Sequence, residues 1–316
     1  MNILRCLFCI LIFPGALFTA VFGLFLAGVD RKVVARMQKR IGPPLRQPMY
    51  DFFKLLGKET IIPHAANRTV YLAAPVVGFV SLALIMLFIP IMPFTAFSGS
   101  ADLIVILYLI TIPGVALIVG GSSSGSPYAG IGISREMVTM MAYELPFVLV
   151  LLAVAKKAGG DSLVFSMEEI SAWQAANGSM ILQWSLVPAA LAMLLVVPAE
   201  VGTQPFDVAE AETEICEGPL IEYSGAALGM FKLNAAMKMC VMSALFTSLF
   251  FGGIRTGYLA ADILVFLLIC ICVTILCMST IHAVTARLKI EHLFKFYWTF
   301  VAGLALVSLI LVWYGV

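Results

Sequence analysis

Seven carboxylates stand within the stretch Pro198–Gly225: Glu200, Asp207, Glu210, Glu212, Glu214, Glu217 and Glu222. The chain of 316 residues has only 18 acidic residues, so more than a third of its acid falls in one segment between two apolar runs. Carboxylates crowded beside a bilayer cannot all ionise at full strength, because mutual repulsion and poor hydration both favour the neutral form. Groups poised near neutrality take up and release protons, which is what a conduction path requires. Read as a helix over 208–217, the segment places Glu210, Glu214 and Glu217 on one face at i, i+4 and i+7, with Glu212 pointing elsewhere. The simpler reading is a solvated acidic loop. Pro205, Phe206, Pro219 and Leu220 weigh against it, since apolar interruptions suit a segment folded back into the protein.

Charges also fall inside the apolar runs. Glu144 comes two turns after Glu136, and Pro146, which can kink a helix and free a carbonyl, follows it. Lys232 and Lys238 stand in a later run. A charge at such depth normally faces a partner or water, and Glu144 with Lys238 makes a candidate pair. Snorkelling to the interface would account for Lys232 but poorly for Lys238. Asp102 and Asp262, near span ends, read as solvated caps. His64, His282 and His292 are scattered without metal-ligand spacing. The cysteines read as small apolar residues, apart from Cys216 among the acids. No Ser/His/Asp or Cys/His arrangement suggests nucleophilic catalysis, so no catalytic, cofactor-binding or metal-binding residue is expected in this chain. In the glycine- and serine-rich stretch 120–136, Ser134 is placed to cap a helix whose N-terminal dipole Glu136 would complement. The glycines there allow tight turns and close approach of a partner.

The elements that must position these residues are membrane helices. The composition is 62% hydrophobic and 12% charged, against about 25% charged for a soluble domain, and the mean hydropathy is +1.04. Runs of roughly 20 apolar residues, each long enough to cross a hydrocarbon core of about 30 Å, recur along the chain. Eight spans are expected at 3–28, 70–93, 101–120, 136–156, 181–199, 224–251, 258–282 and 293–314. The fold class is an all-α membrane protein of about eight transmembrane helices, forming one polytopic domain over 1–316. The first run exceeds the h-region of a signal peptide and is read as a retained span. Residues 48–59 put Phe52, Leu55 and Leu56 on one face and Asp51, Lys54 and Lys58 on another, which predicts an amphipathic helix at the interface. Lysine and arginine gather between spans one and two and after span seven, so both termini are expected outside the cytoplasmic (inner) membrane, with the acid segment on the cytoplasmic side. The loop 157–180, on the other side, reads as a solvated cap.

Arg40-Ile41-Gly42-Pro43, Gly125-Ser126-Pro127-Tyr128, Ser134-Arg135-Glu136, Ala199-Glu200, Pro205-Phe206-Asp207, Glu210-Ala211-Glu212 and Glu222-Tyr223-Ser224-Gly225 occur in order from about residue 28 to 290. In these motifs the chain resembles the membrane heel subunit shared by NADH:quinone oxidoreductase (membrane subunit 1) and energy-converting, group 4-type NiFe hydrogenases. Quinone-reducing members tend to carry Asn-Arg-Pro-Pro-Phe-Asp, whereas this chain has Gly202-Thr203-Gln204-Pro205-Phe206-Asp207. Glu217-Gly218-Pro219-Leu220 and the lysines of span six look closer to the hydrogenase branch, including formate hydrogenlyase. The resemblance implies a non-catalytic subunit that anchors a peripheral electron-transfer arm and couples its redox reaction to proton or sodium translocation. The relay it implies comprises Glu136, Glu144, Glu200, Asp207, Glu210, Glu212, Glu214, Glu217, Glu222, Lys232 and Lys238. Arg36, Arg40, Gly42, Pro43, Tyr128 and Arg135 are the implied docking residues. The NiFe centre and the iron–sulfur clusters would belong to partner subunits, beside antiporter-like membrane subunits. Two alternatives are a quinone-binding membrane subunit of a respiratory NADH or ferredoxin dehydrogenase, and a stand-alone ion transporter.

Overall fold

The protein is described by a computed structural model covering residues 3–91, 102–160, 162–254 and 257–315, with the side chains of 3–6 and of Glu212 excepted. Asp161, Arg255 and the expected span limits at 92–93 and 101 lie outside the described residues. The chain is helical: α1 Ile3–Leu11, α2 Ala16–Met37, α3 Gln47–Leu56, α4 Arg68–Phe88, α5 Leu103–Ser123, α6 Pro127–Gly159, α7 Met167–Asn177, α8 Val187–Val201, α9 Glu212–Ile215, α10 Gly225–Phe251, α11 Leu259–Thr274, α12 Thr280–Val284, α13 Ile290–Phe296 and α14 Ala302–Trp313. Two π-helical turns, Ile275–Ser279 and Tyr297–Val301, join α11 to α12 and α13 to α14. Among the described residues eight helices are long and apolar enough to cross a membrane, and no strand is present, only isolated bridges such as Asp102 to Ser166. The chain is an all-α membrane protein.

The sixth span, α10, is the axis of the bundle. Between Leu233 and Phe250 every residue except Ala235 is buried, and α10 packs on α2, α3, α4, α8 and α11. A helix buried all round must satisfy its polar side chains internally. Asn234 donates to Pro75 O (2.8 Å) and Thr247 to Ser243 O (2.8 Å). The seventh span, Leu259–Val284, facing outward on most sides, keeps Leu264, Leu268 and Leu276 exposed, as lipid contact allows.

Three of the limits that differ from the sequence expectation move charged residues into a helix. The first span runs to Met37, carrying Arg31, Lys32 and Arg36 on its last turns. The fourth begins at Pro127, so Ser134 does not cap it; its hydroxyl donates to Ile131 O (2.8 Å), and Glu136 sits a few turns inside. The fifth runs to Val201 and takes Glu200 out of the loop. A charged side chain lowers local hydropathy without breaking a helix, so hydropathy alone ends such spans early. The interfacial helix is present as α3, with Phe52 and Leu55 half-buried, Leu56 exposed and Asp51 held by Arg31 at 3.1 Å. The expected solvated cap at 157–180 is instead built around α7, whose buried Gln174 donates to Ser248 O and Leu249 O, both at 3.0 Å. Asp262 is buried as well, not solvated.

Candidate ion-relay site

The acid segment leaves α8 at Gly202 and is pinned by its apolar residues. Phe206 packs edge-on to Tyr297 at 5.4 Å, Val208, Ala209 and Ala211 are buried, and Leu288 N–H donates to Pro205 O at 3.1 Å. The segment does fold back into the protein, but it is not a helix over 208–217. Only one turn forms, α9, and Cys216 (φ 52°), Glu217 (φ 67°) and Gly218 (φ 48°) end it in the left-handed region. Three such residues in a row stop helix propagation. Glu210, Glu214 and Glu217 therefore do not share a face. Gly218 leads into Pro219, which lies against Gly132 of α6; a Cβ on Gly132 would stand 2.5 Å from Pro219 Cδ. The partner that the glycines of 120–136 admit is thus the chain's own acid segment.

Two cavities meet at Asp207 and Glu210. The inner one, about 70 Å³, is lined by Glu136, Thr139, Glu200, Asp207, Glu210, Asn234 and Lys238. One water needs only about 10–15 Å³ of such space, so a short water chain fits. The outer one, about 510 Å³, lies between α2, α3 and α10 and is lined by Asp30, Arg31, Asp207, Glu210, Glu217 and Lys232 among apolar residues. At the floor of the inner cavity Lys238 Nζ meets Glu200 Oε1 at 2.8 Å, both side chains nearly fully buried. Lys238 thus pairs with Glu200 and not with Glu144. Tyr143, also buried, hydrogen-bonds to Glu200. Glu144, half-buried, is the next residue along α6 and lies within electrostatic reach of Glu200.

At the cavity junction, burial pushes the Glu210 carboxyl up to about 8; the charges of Asp207, Glu136 and Glu217 add to this and Lys232 opposes it. A carboxyl poised there holds a proton at neutral pH and releases it when a neighbouring charge changes. Asp207 is held differently, by Arg287 Nη2 at 2.8 Å. Glu214 is exposed and Arg135 reaches it at 2.6 Å, and that hydrogen bond keeps its carboxyl below the usual range.

The structure thus gathers Glu136, Glu200, Asp207, Glu210 and Lys238 on one cavity and adds Glu217 and Lys232 on the other. Three expected members line neither cavity, Glu144 on α6 and two others. Glu214 is tied to Arg135 on the surface, and the Glu222 side chain is exposed while its carbonyl accepts from Tyr71 Oη at 2.6 Å. The Glu212 side chain lies outside the described residues. Of the docking residues, Arg36, Arg40 and Tyr128 are exposed, Gly42 and Pro43 are half-buried, and Arg135 is engaged within the chain. Sequence reasoning missed Arg287, Tyr143, Asn234 and Asp30. Asp30 carried the one available signal, an acid closing an apolar run just before Arg31-Lys32.

The sequence profile of the NADH dehydrogenase family matches residues 9–313. The chain is 34% identical over 315 residues to a NADH-quinone oxidoreductase subunit of Geobacillus kaustophilus, an alignment covering 94% of this chain and 91% of the relative. It is 33% identical over 311 residues to the corresponding NADH-quinone oxidoreductase subunit of Dehalococcoides mccartyi, covering 93% and 82%. Among solved structures, a chain of the membrane-bound sulfane sulfur reductase, an archaeal respiratory membrane complex, superposes with a TM-score of 0.88 at 32% identity over 98% of both chains.

Proposed function

Because this chain belongs to the NADH dehydrogenase family, we propose that it is a non-catalytic membrane subunit that seats a peripheral electron-transfer arm and couples its redox reaction to ion movement. The observation that carries this reading is Glu210 and Asp207 at the meeting point of two cavities, with Glu136 and the Lys238–Glu200 pair lining the inner one. A change of charge or position in the arm would shift protons on Glu210. Cavity water would pass them by Glu136 to Glu200, where Lys238 holds the compensating charge, and Tyr143 and Glu144 would extend the path along α6. The same acids could pass sodium. The acid loop faces the cytoplasm in this reading, because the basic residues of 31–58 and 287–295 lie on its side. Arg36, Arg40 and Tyr128 would meet the arm.

We assign the chain to a hydrogen-evolving complex of the energy-converting type. The support is Glu217-Gly218-Pro219-Leu220 with Glu222-Tyr223-Ser224-Gly225, and the lysines of the sixth span, Lys232 and the buried Lys238. The NiFe centre and the iron–sulfur clusters would then be held by partner subunits, with antiporter-like subunits continuing the ion path. A second reading, a quinone-binding subunit, is favoured by the outer cavity, where Leu24, Phe52 and Met239 face Asp30, Arg31 and Lys232. Nickel without quinone in the purified native complex supports the first; bound quinone without nickel supports the second. Glu144→Gln and Asp207→Asn should leave assembly and electron transfer largely intact while ions moved per turnover fall. Unchanged stoichiometry would overturn the relay, and substrate uptake by this chain alone in proteoliposomes would overturn the subunit role.

A further inference from the structure

The relay above leaves unused a buried acid that lines the outer cavity. Asp30, in α2, is 7% exposed. Ser279 Oγ donates to its Oδ1 at 2.8 Å, and His282 Nδ1 stands 3.7 Å from its Oδ2. That distance is too long for a hydrogen bond, and Nδ1 has no hydrogen-bond partner among the described residues. The π turn Ile275–Ser279 ends at the first of these residues, and His282 follows one turn later, so both point at Asp30. A π turn in mid-span interrupts regular α-helical bonding and frequently marks a functional position. The two acid–base groups differ in access. The His282 side chain keeps 28% of its surface exposed at the end of the seventh span, and Asp30 lines the outer cavity with Glu210, Asp207 and Glu217.

Two arginines close in sequence to Asp30 and His282 are engaged elsewhere. Arg31, next along α2, is taken by Asp51 of α3. Arg287, five residues past His282, is taken by Asp207. Lys54 and Lys58 of α3 and Lys232 of α10 line the same cavity, as do Asp207, Glu210 and Glu217 of the acid segment. An imidazole changes charge near physiological pH, which suits it to collect a proton and hand it to a carboxylate.

We infer that His282 and Asp30 form a proton gate into the outer cavity: His282 takes a proton from solvent on the loop face, its N–H closes on Asp30, the proton moves to the Asp30 carboxylate, and Asp30 releases it to cavity water bound for Glu210. No electrons move and no bond other than N–H and O–H is made or broken. This deepens the relay reading and rests on it. The test uses the native complex in proteoliposomes with an internal pH-sensitive dye, following turnover-driven proton uptake and, in parallel, sodium flux. His282→Ala should slow proton uptake by about tenfold, with free imidazole restoring much of it. Asp30→Asn should slow it comparably, and the double variant should be no slower than either single one. Proton uptake by His282→Ala within about twofold of the native rate would overturn the gate. So would a slowed variant that imidazole does not rescue while His282→Gln runs at the native rate, since that marks a structural role. If His282→Ala fails to assemble, the near-isosteric Asp30→Asn decides, and unchanged uptake overturns the gate. Glu136→Gln separates the two levels. Loss of ion movement in Glu136→Gln with native uptake in His282→Ala sinks only the gate, whereas native ion movement in Glu136→Gln sinks the relay.

Discussion

Two ion pairs in this protein are built from similar groups and behave differently. Lys238–Glu200 (2.8 Å) is buried where α10 meets α8, while Arg135–Glu214 (2.6 Å) joins α6 to α9 at the surface, with Glu214 half in solvent. In the bundle each charge has given up hydration and depends on the other. At the surface, water takes over when the partner leaves. Distance alone does not rank the pairs; the shorter one, at the surface, costs less to break. Arg287–Asp207, with both side chains less than a fifth exposed, stands between them and is the only one of the three at the cavity junction.

Removing one partner from each pair should reproduce that order. Lys238→Met strands the Glu200 carboxylate and should cost about 3–5 kcal/mol, read as a large fall in the apparent Tm of the complex in nanodiscs. The double change Lys238→Met with Glu200→Met should recover most of it, and a double variant as unstable as the single one would break the comparison. The next effect depends on pH. Glu210 is held near 8 in the folded state against an ordinary 4.5, so the folded chain keeps a proton that the unfolded chain releases. Its contribution is fully present below about 4.5, falls as pH rises, and is gone once pH passes about 8. Glu210→Gln should flatten that alkaline loss, which amounts to a few kcal/mol, in thermal unfolding between about pH 5 and pH 9. Arg287→Ala should cost about 1–3 kcal/mol and raise amide exchange over 203–213, since it removes the hydrogen bonds to Asp207 and to Thr213 together. Arg135→Ala should leave the unfolding midpoint essentially where it is. A large fall there would mean that the surface pair holds α9 in place.

The sequence carried the count of spans and their approximate centres, because each needs only a run of apolar residues. It also carried the residue types of the site, since acids and lysines are rare in such a chain. What it did not carry is which of them meet. The single-face arrangement of Glu210, Glu214 and Glu217 fails because Cys216 and Glu217 adopt left-handed backbone that no local pattern signals. The Glu144–Lys238 pair fails because helix α8 extends two residues beyond its expected limit and delivers Glu200 to the lysine first. Asp30 and His282 are far apart in sequence, and only the packing of the first span on the seventh brings them together.

The absence of a side chain at Gly132 has a mechanical consequence. Pro219 sits directly on the backbone of α6 there, and any side chain at Gly132 would lift the acid segment off the helix on which it rests. The segment thus rests against a helix of 33 residues, about 50 Å long, with Glu136 and Glu144 along its length. The loop that holds the acids and the far face of the membrane are thereby joined by one continuous element, the fourth crossing.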